Sequence, residues 1–163
     1  MRFFHISDLH FGKLLYGYDL TEEHRNFIEQ LGDYCDKYNP DAVLIAGDVY
    51  DRSVPSADAM TLLDELLNKL SGRKVFIISG NHDNAKRLSF GKDFLKKHDI
   101  YISTVPQTGE NEKIEKVTFA DEYGNVNIYM LPFLKPALFK NSMPEEAAAG
   151  EDAIIKKLVE IQT

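Results

Sequence analysis

The chain has 163 residues, 44% hydrophobic and 28% charged, with 19 Lys and Arg against 26 Asp and Glu for a net charge of −7. Those proportions describe one soluble globular domain and exclude a disordered chain, which is poorer in apolar residues. The single cysteine, Cys35, excludes an intramolecular disulfide framework and a four-cysteine zinc site, and it fits a reducing, cytoplasmic compartment.

Met1–Asp8 turns polar too soon for a signal peptide, and no apolar run approaches the roughly 20 residues that span a bilayer, so no membrane partner is expected. Net acidity argues against coating nucleic acid by bulk charge, but not against basic residues clustered locally around an acidic metal site.

In chain order, the first apolar run is Phe3–Ser7. A helix follows, with Phe27, Ile28, Leu31, Tyr34, Cys35 and Tyr38 on one stripe, Thr21 as candidate cap and Glu22 and Glu23 in the first turn. Ala42–Ala46 is the second apolar run. A second helix carries Met60, Leu63, Leu67 and Leu70 between the cap candidate Ser56 and a stop at Ser71-Gly72. Val75–Ser79 is the third run. None of the three alternates apolar with polar, so each reads as a parallel strand buried on both faces, giving a βαβαβ start and an α/β class.

A weaker helix over about Ala85–Lys97 leads to a short strand near Ile100–Ser103, and Thr104–Lys113 reads as a solvated, mobile loop. Ile114–Ala120 and Val126–Leu131 read as a hairpin adding antiparallel strands to the sheet. A loop punctuated by Pro132, Pro136 and Pro144 precedes a last amphipathic helix bearing Ile154, Ile155, Leu158 and Ile161. No repeat or linker is visible, so residues 1–163 read as one domain or the first part of a larger one.

Each of the first three strands ends in a polar cluster: Asp8-Leu9-His10, Gly47-Asp48-Val49-Tyr50-Asp51 and Gly80-Asn81-His82-Asp83. The carboxyl ends of parallel strands converge on one edge, so these clusters are expected to meet. Two carboxylates about 4 Å apart repel by roughly 4 kcal/mol at an effective dielectric near 20, and a multivalent cation turns that into attraction. Asp8, His10, Asp48 and Asn81 offer hard oxygens and imidazole without thiolate, a set suited to Mn²⁺ or Fe²⁺ and tolerant of Zn²⁺ or Mg²⁺. Asp48 is placed to bridge two ions. His82 is a candidate to protonate a leaving oxygen, with Asp51 as the carboxylate that orients it and Arg52 as a phosphate clamp.

Taken singly, Asp8 and Asp48 read as caps or turn residues and Gly47 and Gly80 as tight-turn glycines. The coincidence of three loaded strand ends in order outweighs those readings. His5, His24 and His98 lack such context and are assigned to a core edge or a solvated helix, and Cys35 to the buried stripe of the first helix.

These three motifs, Asp8-x-His10, Gly47-Asp48-x-x-Asp51 and Gly80-Asn81-His82-Asp83, resemble the first three motifs of the calcineurin-like metallophosphoesterases. His10-Phe11-Gly12-Lys13, Gly17-Tyr18, Glu22-Glu23-His24-Arg25, Tyr50-Asp51-Arg52 and Leu131-Pro132-Phe133 are similar to the SbcD-type exonuclease subunits of that family. The resemblance implies a core of mixed β-sheets flanked by helices. It implies two divalent ions, Mn²⁺ foremost, with Asp8, His10 and Asp48 on the first, Asp48 bridging, Asn81 on the second, and His82 as the catalytic histidine paired with Asp51. It further implies cleavage of DNA phosphodiester bonds as double-strand exonuclease and single-strand endonuclease in DNA repair and recombination, a coiled-coil ATPase partner of the SbcC type, and a homodimer. Lys13, Arg52 and Arg87 are candidate contacts to the DNA backbone.

The departure is that no histidine follows His98, whereas the family takes three more histidine ligands from later motifs. Residues 1–163 are therefore expected to be the N-terminal part of a nuclease domain, with a second metal site incomplete and the capping and partner-binding segments absent. A phosphatase or phosphodiesterase using the same motifs, and a non-catalytic assembly fragment, are the alternatives.

Overall fold

A computed structural model describes residues 1–109 and 113–162, which divide into two compact units, Met1–Thr104 and Val105–Thr163. The reading of Thr104–Lys113 as a loop lies partly outside the described residues; within them, Pro106 is buried.

The first unit holds β1 (Phe3–Ile6), β2 (Leu14–Leu15), β3 (Tyr18–Asp19), α1 (Thr21–Tyr38), β4 (Ala42–Ala46), α2 (Ala57–Lys69), β5 (Val75–Ile78), the single turns α3 (Ala85–Leu88) and α4 (Lys92–Leu95), and β6 (Ile100–Ser103). Four strands form one parallel sheet in the order β1-β4-β5-β6, with Phe3 opposite Ala42, Val43 opposite Val75 and Val75 opposite Ile100. Val43, Ile45, Val75 and Ile77 are buried together with Ile28, Leu31 and Cys35 of α1 and Leu62, Leu66 and Leu70 from α2 and its end. Continuous apolar strands covered by helices are what a parallel sheet requires.

The strand at the edge departs from expectation. In β1, Phe3, Phe4 and Ile6 are half-buried and His5 is exposed, because among the described residues β4 is its only ladder partner in this sheet. The helix stripes also shift. Tyr34, Tyr38 and Met60 are exposed, while Gly32, Ala59 and Leu62 take the buried positions. Ser56 caps α2 as expected, its hydroxyl accepting the Ala59 N–H at 3.2 Å. At α1 the acceptor is Asp19 rather than Thr21: its carboxylate takes the Thr21 N–H at 2.8 Å and the Thr21 hydroxyl at 2.6 Å. The helix expected over Ala85–Lys97 is broken into α3 and α4 at Gly91, whose φ of +73° leaves the helical region, and it ends in a 3₁₀ turn at Lys96–His98.

The second unit contains β7 (Lys116–Asp121), β8 (Gly124–Tyr129), a 3₁₀ turn at Pro136–Phe139, α5 (Pro144–Ala149) and α6 (Glu151–Gln162). β7 and β8 pair antiparallel around Glu122-Tyr123, as the hairpin reading expects. They form a two-stranded sheet of their own, so the expected addition to the parallel sheet is corrected. β7 alternates exposed and half-buried residues, whereas β8 is exposed except at the half-buried Ile128. Ile114, Leu134, Phe139, Met143, Ile154 and Leu158 form this unit's core.

Candidate metal centre

The first three strands of the parallel sheet run into tight loops. Asp8, His10 and Asp48 have φ of +57°, +47° and +49°, a left-handed conformation sparsely used by non-glycine residues and stored mainly at functional sites. The first two loops are laced together: the Asp8 N–H donates to the Gly47 carbonyl at 3.1 Å, His10 N–H to Asp48 O at 2.9 Å and Phe11 N–H to Val49 O at 2.9 Å. The second and third loops meet glycine against glycine. A Cβ on Gly47 would lie 2.9 Å from the Gly80 Cα, and one on Gly80 would lie 2.0 Å from Asp48 Oδ1, so both positions are closed to a side chain. That approach lets Asp48 Oδ1 accept the His82 N–H at 3.0 Å.

The donor atoms then gather. His10 Nε2 lies 3.7 Å from Asp8 Oδ1 and 3.9 Å from Asp48 Oδ2, and its Nδ1 lies 3.4 Å from Asp51 Oδ1. Asp8, His10 and Asp48 form one group of candidate ligand atoms, and His10, Asp51 and His82 a second. Among the described residues, the only Lys or Arg paired with these carboxylates is Arg52, whose Nε is 3.8 Å from Asp51. Donors about 2.1 Å from a shared ion lie roughly 3.0–3.5 Å apart, so the first group needs only a small contraction to hold one. Asp48 is 8% exposed, and a buried carboxylate beside a second one without a neutralising cation fits a divalent ion. With Nε2 turned to Asp8 and Asp48 and Nδ1 to Asp51, His10 has the orientation a carboxylate partner gives a ligating imidazole.

His82 is exposed, its ring edge-on to the His10 ring at 4.9 Å between centroids. Its Nδ1 is 2.8 Å from the Asp51 backbone carbonyl, so the partner that orients it is the carbonyl of Asp51, while the Asp51 carboxylate faces His10. That carbonyl, with Asp48, Asp51 and Asp83 nearby, raises the imidazole pKa above its usual value against the opposing effect of burial. Asn81 sits exposed at the same loop. Arg52 is largely exposed, Lys13 follows the His10 loop with its N–H on the His10 carbonyl, and Arg87 lies on α3 beside an apolar groove.

One residue had no assigned role in the sequence reading. The Asp83 carboxylate accepts the N–H groups of Gly80 at 2.9 Å, Tyr50 at 3.0 Å and Val49 at 3.2 Å, and so clamps the loop after β5 to the loop after β4. Its place as the last member of Gly80-Asn81-His82-Asp83 was the available signal. Tyr50, buried beneath this clamp, has its phenol pushed up to about 12 by burial and by the Asp83 charge.

A family model described as calcineurin-like phosphoesterase matches residues 1–157. The D subunit of the nuclease SbcCD of Staphylococcus epidermidis is 34% identical over 136 residues, an alignment covering 82% of this chain and 34% of that protein. The chain thus spans about a third of the length of this relative. No helix among the described residues is long and apolar enough to cross a membrane.

Proposed function

The chain belongs to the calcineurin-like phosphoesterase family, and on that premise we propose that it is the N-terminal, metal-holding part of a DNA nuclease subunit. The activity is hydrolysis of phosphodiester bonds with two divalent ions, Mn²⁺ foremost and Mg²⁺, Fe²⁺ or Zn²⁺ as other occupants. The observation that carries this reading is the convergence of Asp8, His10, Asp48, Asp51 and His82 from three separate strand ends on one point. Bound divalent ions would polarise phosphoryl oxygens and lower the pKa of water.

The chain's own residues supply the rest. Asp8, His10 and Asp48 would hold the first ion, and Asp48 and Asn81 would share the second. The Asp51 carbonyl fixes His82 Nδ1, which leaves Nε2 free to donate a proton to the leaving oxygen. Arg52, Lys13 and Arg87 would contact the phosphate backbone.

The similarity to the D subunit of the nuclease SbcCD of Staphylococcus epidermidis supports a nuclease role beside an SbcC-type partner; the motif resemblance adds DNA as substrate, a coiled-coil ATPase as that partner and repair and recombination as its setting, and the single cysteine adds the cytoplasm. A homodimer of the full-length protein belongs to the same reading, by the motif resemblance alone.

The test is turnover of end-labelled DNA beside a phosphomonoester with excess Mn²⁺, using Asp48→Asn as control. For a nuclease part whose second site is incomplete, the expected result is Mn²⁺ bound by the chain, lost in Asp48→Asn, with neither substrate turned over. DNA cleavage that the substitution abolishes would mean that the two-metal site is completed without later histidines, preference for the monoester would favour a phosphatase, and no bound metal would overturn the metal-holding reading.

A further inference from the structure

We infer that Asp83 is a positioning residue: by holding the Val49 and Tyr50 N–H groups against the Gly80 loop, its carboxylate sets Asp48 opposite His82. The inference rests on the metal-site reading for its functional meaning, and on hydrogen-bond geometry for its substance.

The loop after β4 needs such a hold. Asp48 has a φ of +49°, a conformation that a non-glycine residue keeps only where its surroundings fix it. One tie of this loop is to Phe11, whose N–H reaches the Val49 carbonyl at 2.9 Å and whose carbonyl accepts the Asp51 N–H at 3.1 Å. The other is Asp83. Its Oδ2 accepts the Val49 N–H at 3.2 Å and the Gly80 N–H at 2.9 Å, and its Oδ1 accepts the Tyr50 N–H at 3.0 Å. Val49 is fully buried, so its N–H has no water to turn to if this acceptor is lost.

The bonds of His82 to the same loop use groups that the chemistry would claim. Its N–H donates to Asp48 Oδ1, an oxygen of the proposed bridging ligand, and its Nδ1 lies on the Asp51 carbonyl. Asp83 carries neither demand. It stands outside both groups of candidate ligand atoms, with its two oxygens given to three backbone N–H groups. The two loops can therefore stay aligned through Asp83 whatever Asp48 and His82 engage. Three donors also require a carboxylate. The isosteric Asn offers one oxygen, and its NH₂ would face at least one of these N–H groups, donor against donor. An acid that merely made the turn would be replaceable by Asn, which turns favour as well.

Asp83→Asn and Asp83→Glu separate these. Asn keeps the shape and removes the charge, and Glu keeps the charge with its oxygens one methylene further out. On the 163-residue chain, Mn²⁺ affinity is measured by calorimetry. Amide hydrogen exchange is measured without metal at Val49 and Tyr50, which bond Asp83, and at His82, which bonds Asp48 instead.

For both variants we expect exchange at all three amides to rise by at least about tenfold, as for a lost hydrogen bond to a charged group. Mn²⁺ affinity is expected to fall about 10–100-fold, the usual range for residues that orient metal ligands. The inference is overturned if Asp83→Asn leaves either His82 exchange or a measurable Mn²⁺ affinity within about twofold of wild type. It is overturned as well if Asp83→Glu keeps the wild-type affinity that Asp83→Asn loses, which assigns the effect to charge, or if exchange rises equally across β5 and α2, which marks a general loosening. If the wild-type chain binds no Mn²⁺ while the three amides respond to both variants, the hold on the loops stands and the metal-site reading fails.

Discussion

In Met1–Thr104, β1, β4, β5 and β6 are largely apolar runs in one parallel sheet, and consecutive strands of that sheet are separated by helical segments. In Val105–Thr163, β7 and β8 are sequence neighbours, largely exposed, that pair directly. The difference decides where chemistry can be assembled. A parallel sheet lines up the carboxyl ends of strands that lie far apart in sequence, so Asp8, Asp48 and His82 meet although tens of residues separate them. A hairpin brings together only what its own turn joins. Both groups of candidate metal-ligating residues found among the described residues lie in the first unit, and no histidine follows His98.

The largest effect that tests this division is in the second core. Phe139 is fully buried among Ile114, Leu134, Met143, Ile154 and Leu158. Phe139→Ala is expected to destabilise that unit by about 3–5 kcal/mol through lost burial and a cavity. Mn²⁺ affinity of the chain should change by less than about twofold. Exchange protection measured unit by unit, with a metal titration on the same sample, checks it; a large loss of affinity would break the division.

Gly80→Ala comes next, with the opposite pattern. The new Cβ would lie 2.0 Å from Asp48 Oδ1 and 2.4 Å from the Asp48 nitrogen, so backbone must move. Overpacking of this kind costs about 1–3 kcal/mol, and metal affinity should fall by at least about 100-fold because the displaced atoms belong to the proposed bridging ligand. Chemical denaturation alongside calorimetry reads both. A protein that loses stability but keeps its affinity would remove Asp48 from the ligand set.

Much of this division is legible in the sequence, because buried parallel strands and polar clusters at their ends are both local patterns. β4 and β6 coincide with their expected ranges, and the hairpin falls within two residues of its expected one. What escaped depends on the third dimension. The stripe on α1 drifts because its C-terminal tyrosines lie outside the strip that the sheet and α2 cover, while Gly32 admits the Lys69 side chain. Asp51 serves His82 with a backbone carbonyl, an atom every residue has and no motif distinguishes. Asp83 acts on backbone groups of another loop, Val49 and Tyr50, and such partners cannot be read from side-chain identities.

Charge offers a finer contrast within the first unit. Asp48→Asn removes one negative charge from a group that Asp8 and Asp51 share, while the Asn oxygen can still accept the His82 N–H and Asn tolerates the φ of +49°. Without metal, the variant is expected to be more stable than wild type by about 1 kcal/mol at pH 7, a fraction of the roughly 4 kcal/mol repulsion of a close carboxylate pair. With metal, it should bind far more weakly. Thermal unfolding with and without Mn²⁺ tests this; an apo form less stable than wild type would mean that the charge is neutralised by the protein itself.

Asp99→Asn is the matched control and carries the smallest effect. Asp99 lies at the start of β6 with its carboxylate 2.8 Å from Lys74 Nζ. It also has a positive φ, of +61°, which Asn accepts. The Lys74 hydrogen bond holds the Asp99 carboxyl below its usual pKa. The sign follows from that lowering: the stabilisation is fully present above the unfolded value near 4 and is lost as pH falls through the lower folded value. Both side chains are about half exposed, so screening limits the contribution to about 0.5 kcal/mol. At pH 7 Asp99→Asn should therefore cost stability where Asp48→Asn restores it, and the cost should shrink in high salt and vanish in acid. Denaturation at pH 7 and near pH 3, each at low and high salt, measures the pair. Equal signs for the two substitutions would mean that the Asp48 cluster is an ordinary solvated set of acids, because only an uncompensated cluster is relieved by losing a charge that elsewhere on the same unit contributes to stability.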